Sequence, residues 1–161
     1  MKMNKDEQPI IAFSKNKSET DFINAGELLE TLKGDVFNKS PEQAPVVLHP
    51  IDEDCDIHLL KLIYKCGNCQ TLHLEGGNID IEDINWNEHS VVYADYSHSP
   101  IGYVSRKELI EILEKIKDKN IKVDITTSDD DDKFPLTEIF KCSKHCPSVH
   151  LITGWFDKNK N

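Results

Sequence analysis

The sequence has no long apolar run and no recognisable catalytic motif. Its first apolar stretch, Ile10 to Phe13, is too short for the core of a signal peptide and far too short to cross a membrane. We therefore expect a cytoplasmic protein without a membrane partner. None of the 7 histidines lies in a His-Glu-x-x-His arrangement, no serine lies in Gly-x-Ser-x-Gly, and no glycine-rich loop is present to cradle a phosphate. These absences favour a protein that is not an enzyme.

Basic residues are a minority in this chain. There are 19 Lys and Arg against 29 Asp and Glu, which gives a formal net charge of -10 at pH 7. A chain of this charge repels a phosphate backbone unless its basic residues gather on one face, and here the lysines are spread along the sequence. We do not expect direct binding to nucleic acid. The acidity indicates either solubility alone or electrostatic steering towards a basic protein partner.

The length and the periodicity of the sequence indicate one α+β domain. The 161 residues, 38% hydrophobic and 30% charged, fit a single domain over residues 1–161, with 1–8 and 157–161 frayed. Apolar residues at helical spacing predict a helix over about 21–33, and a capping box at Ser105 predicts another over about 106–119. A short helix is also expected after Pro135. Strand and hairpin patterns outnumber these helices, so we predict a mostly antiparallel sheet with two main helices packed on it.

The cysteines offer a candidate metal site. Their count of 5 is odd, which argues against the disulfide framework of a secreted protein. Four of them form close pairs separated by Gly-Asn and by Ser-Lys-His, and zinc ligands commonly come in pairs spaced two to four residues apart. The candidate metal ligands are Cys66, Cys69, Cys142 and Cys146, with His145 and His150 as alternates.

Two other interpretations of the cysteine pairs stay open. Reduced and partly buried thiols behave as small hydrophobic side chains and need no ligand. A redox pair of the thioredoxin kind needs Cys-x-x-Cys at the start of a helix, whereas Cys66-Gly-Asn-Cys69 is typical of a β-hairpin tip. The 72 residues between Cys69 and Cys142 leave open whether the two pairs meet in space.

Two clusters of acidic residues are candidates for contact with a partner. Four adjacent carboxylates in residues 129–132 repel one another, and their spacing does not match a calcium-binding loop of the Asp-x-Asp-x-Asp-Gly type. One interpretation is a solvated loop, and the other is a surface that meets lysines and arginines of a partner. The candidate partner-binding residues are Asp52, Glu53, Asp54, Asp56, Asp129, Asp130, Asp131 and Asp132.

In its size, its acidity, its Lys-, Ile- and Asn-rich composition and its lack of enzyme motifs, the chain resembles a class of bacterial immunity proteins. Bacteria make these small acidic proteins against their own nuclease toxins, for example in contact-dependent growth inhibition. The resemblance implies a cytoplasmic toxin inhibitor without a cofactor, which binds a basic toxin domain and covers its active site with carboxylates in place of substrate phosphates. The alternative prediction is a zinc-binding protein, either a zinc-stabilised adaptor or a metal-dependent hydrolase.

Overall fold

The computed structural model describes residues 8–15, 22–49, 58–65, 67, 71–76, 89–127 and 134–153. Within these residues the chain forms nine strands and two helices, which confirms the predicted α+β class. The helices are α1 (Ala25–Leu32) and α2 (Arg106–Lys115). The strands are β1 (Ile10–Ser14), β2 (Val46–His49), β3 (His58–Lys65), β4 (Thr71–Gly76), β5 (Val91–Asp95), β6 (Lys122–Thr127), β7 (Phe134–Pro135), β8 (Glu138–Lys141) and β9 (Val149–Ile152).

The described strands form one mixed sheet. Their order is β1-β8-β9-β2-β3-β4-β6-β7, and β5 pairs with β3 beside this path. The sequence predicted a mostly antiparallel sheet, but β2 and β9 pair in parallel, as do β4 and β6. Parallel neighbours need a long connection between them, and the segment between β4 and β6 contains helix α2. Hairpin signals are local, so they could not reveal these pairings.

The hydrophobic core lies on one face of this sheet, against both helices. Leu28 of α1 and Leu109 of α2 are fully buried in it together with strand residues such as Leu48 and Leu151. Side chains alternate along a strand, so the residues between these core positions point to the opposite face. We call this opposite side the outer face. It carries the two polar clusters described below.

Helix α1 begins later than the sequence predicted. Its N-cap is Asn24, whose side chain accepts a hydrogen bond from the Glu27 N–H at 2.8 Å, while the Glu27 carboxylate accepts from the Asn24 N–H at 3.0 Å. This reciprocal capping box satisfies two backbone donors that a helix start leaves without partners. The expected start at residue 21 lies outside the described residues.

Helix α2 begins at the predicted residue and ends four residues early. Ser105 is its N-cap and accepts from the Glu108 N–H, as the sequence indicated. The Glu108 carboxylate accepts from the Tyr96 hydroxyl at 2.8 Å. At the other end Ile116 is extended, and Lys119 Nζ donates to the Ile116 carbonyl at 2.6 Å, so the last turn is closed by a side chain.

The short helix expected after Pro135 is wrong. This segment contains strands β7 (Phe134–Pro135) and β8 (Glu138–Lys141), and β8 is paired to β1 on one side and to β9 on the other. Ile139 and Phe140 therefore point to opposite faces, and Ile139 enters the core. Pairing on both edges outweighs the local helical spacing of the apolar residues.

Some predictions fall on segments that the structure does not describe. The termini expected to be frayed, residues 1–8 and 157–161, lie outside the described residues except for Gln8. Within the described part of the chain, neither helix has the length and apolar character needed to span a membrane.

Candidate metal centre

The connection between β8 and β9 brings three potential metal ligands together. The ligand atoms of Cys142, Cys146 and His150 all lie within 4.8 Å of one another. Cys142 follows β8 directly, and the Cys146 N–H donates to the Ser143 carbonyl at 3.2 Å, which closes a turn between the strands. Of the two alternates named from the sequence, His150 belongs to this group, whereas His145 is exposed and is not among the three. These residues can hold a metal ion.

Strand register places a second histidine beside the cluster. His150 of β9 is paired with Phe140 of β8 and with Val47 of β2, so all three side chains lie on the outer face. His49 follows Val47 by two residues and shares that face. The His150 ring stacks on Phe140 with centroids 4.9 Å apart and lies 4.9 Å from the His49 ring. The imidazole of His150 is thus held from two neighbouring strands.

Both nitrogens of His150 have defined neighbours. Its Nδ1 lies 2.7 Å from His49 Nε2, and its Nε2 lies 3.4 Å from Cys146 Sγ. If Nδ1 of His150 carries the proton and donates to His49, the lone pair of Nε2 points at the thiol. That tautomer is the one a metal ion requires, and a hydrogen bond to the distal nitrogen is the usual way in which proteins fix a ligating histidine.

The two histidines are held in their neutral forms. Burial lowers the pKa of His150, and the charge of nearby His49 lowers it further, to about 4. Burial also lowers the pKa of His49. A metal ion binds only the neutral imidazole, so this environment favours coordination at neutral pH.

The two thiols differ in exposure and in acidity. Cys142 is exposed, whereas Cys146 is 8% exposed. Desolvation by the surrounding loop raises the pKa of Cys142, and its hydrogen bond to Cys146 raises it further. Burial alone would raise the pKa of Cys146, but hydrogen bonds from the Cys142 side chain and the Ser148 backbone together outweigh it and lower the pKa. Cys146 therefore loses its thiol proton more readily than Cys142 does. Both thiols must ionise to bind a metal.

The other predicted cysteine pair, Cys66 and Cys69, lies outside the described residues. Each cysteine pair follows a strand that the structure describes, β3 before Cys66 and β8 before Cys142. Strands β3 and β8 run in the same direction, and the register places Phe140 of β8 in one row with Leu59 of β3, so β3 continues to Lys65 beyond the level at which β8 ends. Strands β9 and β2 lie between β8 and β3 in the sheet order.

The acidic clusters predicted to bind a partner are also outside the described residues. This applies to all eight positions, Asp52, Glu53, Asp54, Asp56, Asp129, Asp130, Asp131 and Asp132.

A second polar cluster lies on the outer face, farther along the sheet. His73 Nδ1 is 2.7 Å from Asp124 Oδ1, and the Tyr64 hydroxyl donates to Glu75 Oε1 at 2.8 Å. The Tyr64 and His73 rings lie 4.7 Å apart, and all four side chains are buried. Burying two carboxylates costs free energy unless they are hydrogen-bonded, and here each accepts a short hydrogen bond or ion pair. The cluster links side chains of β3, β4 and β6 across the outer face.

The sequence analysis assigned no role to His49, His73 or Asp124. His73 and Asp124 are opposite each other in the parallel β4–β6 register, and His49 is 101 residues from His150. The sequence did contain one local indication that these two residues lie on the outer face. His73 and Asp124 are each a single polar residue between two core residues of a strand. That alternation places them on the face opposite the core but does not show which strands are neighbours.

No protein-family model matches this chain, and neither a curated protein nor a solved structure is found to be similar to it.

Loss of the buried hydrogen bond between Tyr64 and Glu75 should lower the stability of the protein. Tyr64→Phe removes the hydroxyl that donates to Glu75, so we expect the free energy of unfolding to fall by about 1–3 kcal/mol. The matched control is Tyr103→Phe, because the Tyr103 hydroxyl donates to the Gln43 carbonyl in an exposed position. The control should change the free energy by less than about 0.5 kcal/mol. Urea unfolding measures both, and equal effects of the two substitutions would contradict this account.

Proposed function

We propose that this protein binds one zinc ion through Cys142, Cys146 and His150, and that the ion stabilises a protein whose work is binding rather than catalysis. The observation that carries the proposal is the convergence of these three ligand atoms within 4.8 Å. Thiolate and imidazole together are the ligand set that suits zinc among the common metal ions.

The distances in the cluster suit a shared tetrahedral ion. With zinc–sulfur bonds of about 2.3 Å and zinc–nitrogen bonds of about 2.0–2.1 Å, tetrahedral angles separate sulfur from nitrogen by about 3.6 Å. Cys146 Sγ and His150 Nε2 are 3.4 Å apart, held by a hydrogen bond. An ion could therefore replace the proton between these atoms without a large movement of either residue.

The fourth ligand distinguishes the zinc-stabilised adaptor from the metal-dependent hydrolase. A structural zinc site is closed by four protein ligands, whereas a catalytic site keeps one position for water. The described residues supply three ligands. Cys66, Cys69 and His145 are the remaining candidates from the sequence, and closure by one of them favours the adaptor.

The zinc proposal predicts a stoichiometry and a stabilisation. Reduced protein dialysed against zinc should retain one equivalent, measured by elemental analysis, and free zinc at 100 times its Kd should raise the free energy of unfolding by about 2.7 kcal/mol. Cys142→Ser should abolish both effects, because it removes a ligand from an exposed position where the fold itself does not depend on the side chain.

The matched control is His98→Ala, which removes an exposed histidine from a turn that contains none of the three ligands. It should retain the zinc and the stabilisation. Zinc bound with equal stoichiometry by Cys142→Ser and wild type would contradict the proposal. Cys66→Ser and Cys69→Ser then show whether the first cysteine pair closes the site.

As a second function, we propose that the protein is a cytoplasmic inhibitor of a basic protein, of the kind that bacterial immunity proteins represent. Its support is the net charge of -10 together with the two acidic clusters of the sequence. Carboxylates would attract a cationic toxin domain, speed the encounter and occupy a cleft that binds phosphates. The two functions are compatible, since a zinc ion can stabilise the protein that presents the acidic surface.

The inhibitor proposal predicts a partner whose binding depends on salt. A pull-down at low ionic strength should retain a basic protein, and its affinity should fall as salt is added. Neutralising residues 129–132 with Asp→Asn should weaken binding more than the same charge change elsewhere. The matched control converts four exposed glutamates to Gln, namely Glu30, Glu42, Glu111 and Glu114.

Three results would contradict the inhibitor proposal. They are the retention of no basic protein at low salt, an affinity that is independent of salt, and equal losses from the two sets of substitutions.

A further inference from the structure

We propose that Cys142 and Cys146 are a site of thiol–disulfide exchange, at which a low-molecular-weight disulfide is reduced and the two cysteines become an intramolecular disulfide. The disulfide reaction needs no metal ion. Its consequence for zinc, which is release of the ion, rests on the function proposed above.

The geometry gives the two sulfurs different roles. Both cysteines are free thiols, and their sulfurs lie within 4.8 Å of each other. Cys142 is exposed at the end of β8, where a small disulfide can reach it, while Cys146 is 8% exposed and its sulfur lies 3.4 Å from His150 Nε2. The S–S bond of a disulfide is about 2.0 Å long, so the two sulfurs, which lie within 4.8 Å of each other, must move closer together for the bond to form.

The reaction proceeds in two exchanges. Cys146 is the more acidic thiol but is buried, so the exposed Cys142 is the residue that meets the small disulfide. Cys142 loses its proton to solvent, and its thiolate attacks one sulfur of the small disulfide, forms a mixed disulfide and releases one small thiol. Cys146 then attacks the Cys142 sulfur, and the second small thiol leaves as the Cys142–Cys146 bond forms. The two cysteines together lose two protons and two electrons, and the small disulfide gains them to become two thiols. The exposed residue meets the oxidant, and the buried residue resolves the intermediate.

This exchange would couple the metal centre to the redox state of its surroundings. Two of the three ligand atoms are the sulfurs that form the disulfide. A disulfide sulfur has no thiolate charge and is a poor zinc ligand, so oxidation would leave His150 as the one remaining ligand of these three. Reduction of the disulfide by a dithiol restores both ligands.

The test uses the full chain, made metal-free with a chelator, and 2-hydroxyethyl disulfide as an uncharged probe that the acidic protein does not repel. Trypsin cuts after Lys141 and Lys144, so Cys142 and Cys146 fall in the separate peptides 142–144 and 145–158. Mass spectrometry of the oxidised wild type should find these two peptides joined, with the loss of two hydrogens. Cys146→Ser should instead accumulate one mercaptoethanol adduct on Cys142.

Cys142→Ser provides the matched comparison. Because Cys146 is buried, this variant should gain no adduct on Cys146 while the protein stays folded. The inference is overturned if the wild type keeps a stable adduct on Cys142, or if Cys142 and Cys146 are joined to other cysteines and not to each other. It is also overturned if Cys146 reacts as fast as Cys142.

A second arm repeats the oxidation on zinc-loaded protein and measures released zinc with a chromophoric chelator. One equivalent should leave as the disulfide forms. If zinc remains bound after the disulfide has formed, Cys142 and Cys146 are not its ligands. That result would contradict the proposed metal site but not the proposed disulfide exchange. If the protein never binds zinc, the proposed zinc function is refuted. The disulfide inference is unaffected by that result, because the metal-free arm tests it separately.

Discussion

The parallel pairing of β2 with β9 is the constraint on which the candidate metal centre depends. It places His49 beside His150, with 2.7 Å between their ring nitrogens, and so fixes the orientation of the one imidazole that faces the two cysteines. The antiparallel pairing of β8 with β9 supplies the turn that carries both thiols and sets Phe140 against the same ring. Without these two pairings, Cys142 and Cys146 would be a local motif without a positioned third ligand.

The same sheet separates the hydrophobic core from the polar and metal-ligating side chains. Core side chains and both helices lie on one face, while the outer face carries the cluster at His150 and the buried pairs His73–Asp124 and Tyr64–Glu75. Polar groups can be buried on the outer face because neighbouring strands present partners at fixed separations. The strand register thus both stabilises the fold and determines which ionisable groups meet.

The elements that the sequence predicted well are those with local signals. Helix α2 has a capping serine and an apolar stripe, and the spacing of Cys142 and Cys146, with His150 as an alternate, selected three residues whose ligand atoms the structure brings within 4.8 Å of one another. What could not be predicted depends on contacts between distant segments. The parallel pairings, the position of His49 and the strand at residues 138–141 follow from neighbours that no short pattern identifies.

X-ray absorption spectroscopy of the zinc-loaded, reduced protein tests the central claim most directly, because it reports the atoms bound to the ion. The proposed centre predicts sulfur at about 2.3 Å together with nitrogen at about 2.0–2.1 Å, and the outer-shell scattering of an imidazole ring. The imidazole signal should disappear in His150→Ala if a cysteine or water completes the site, and should fall by half if His145 is the fourth ligand. A first shell of oxygen alone, or of sulfur alone, would contradict a site built from Cys142, Cys146 and His150.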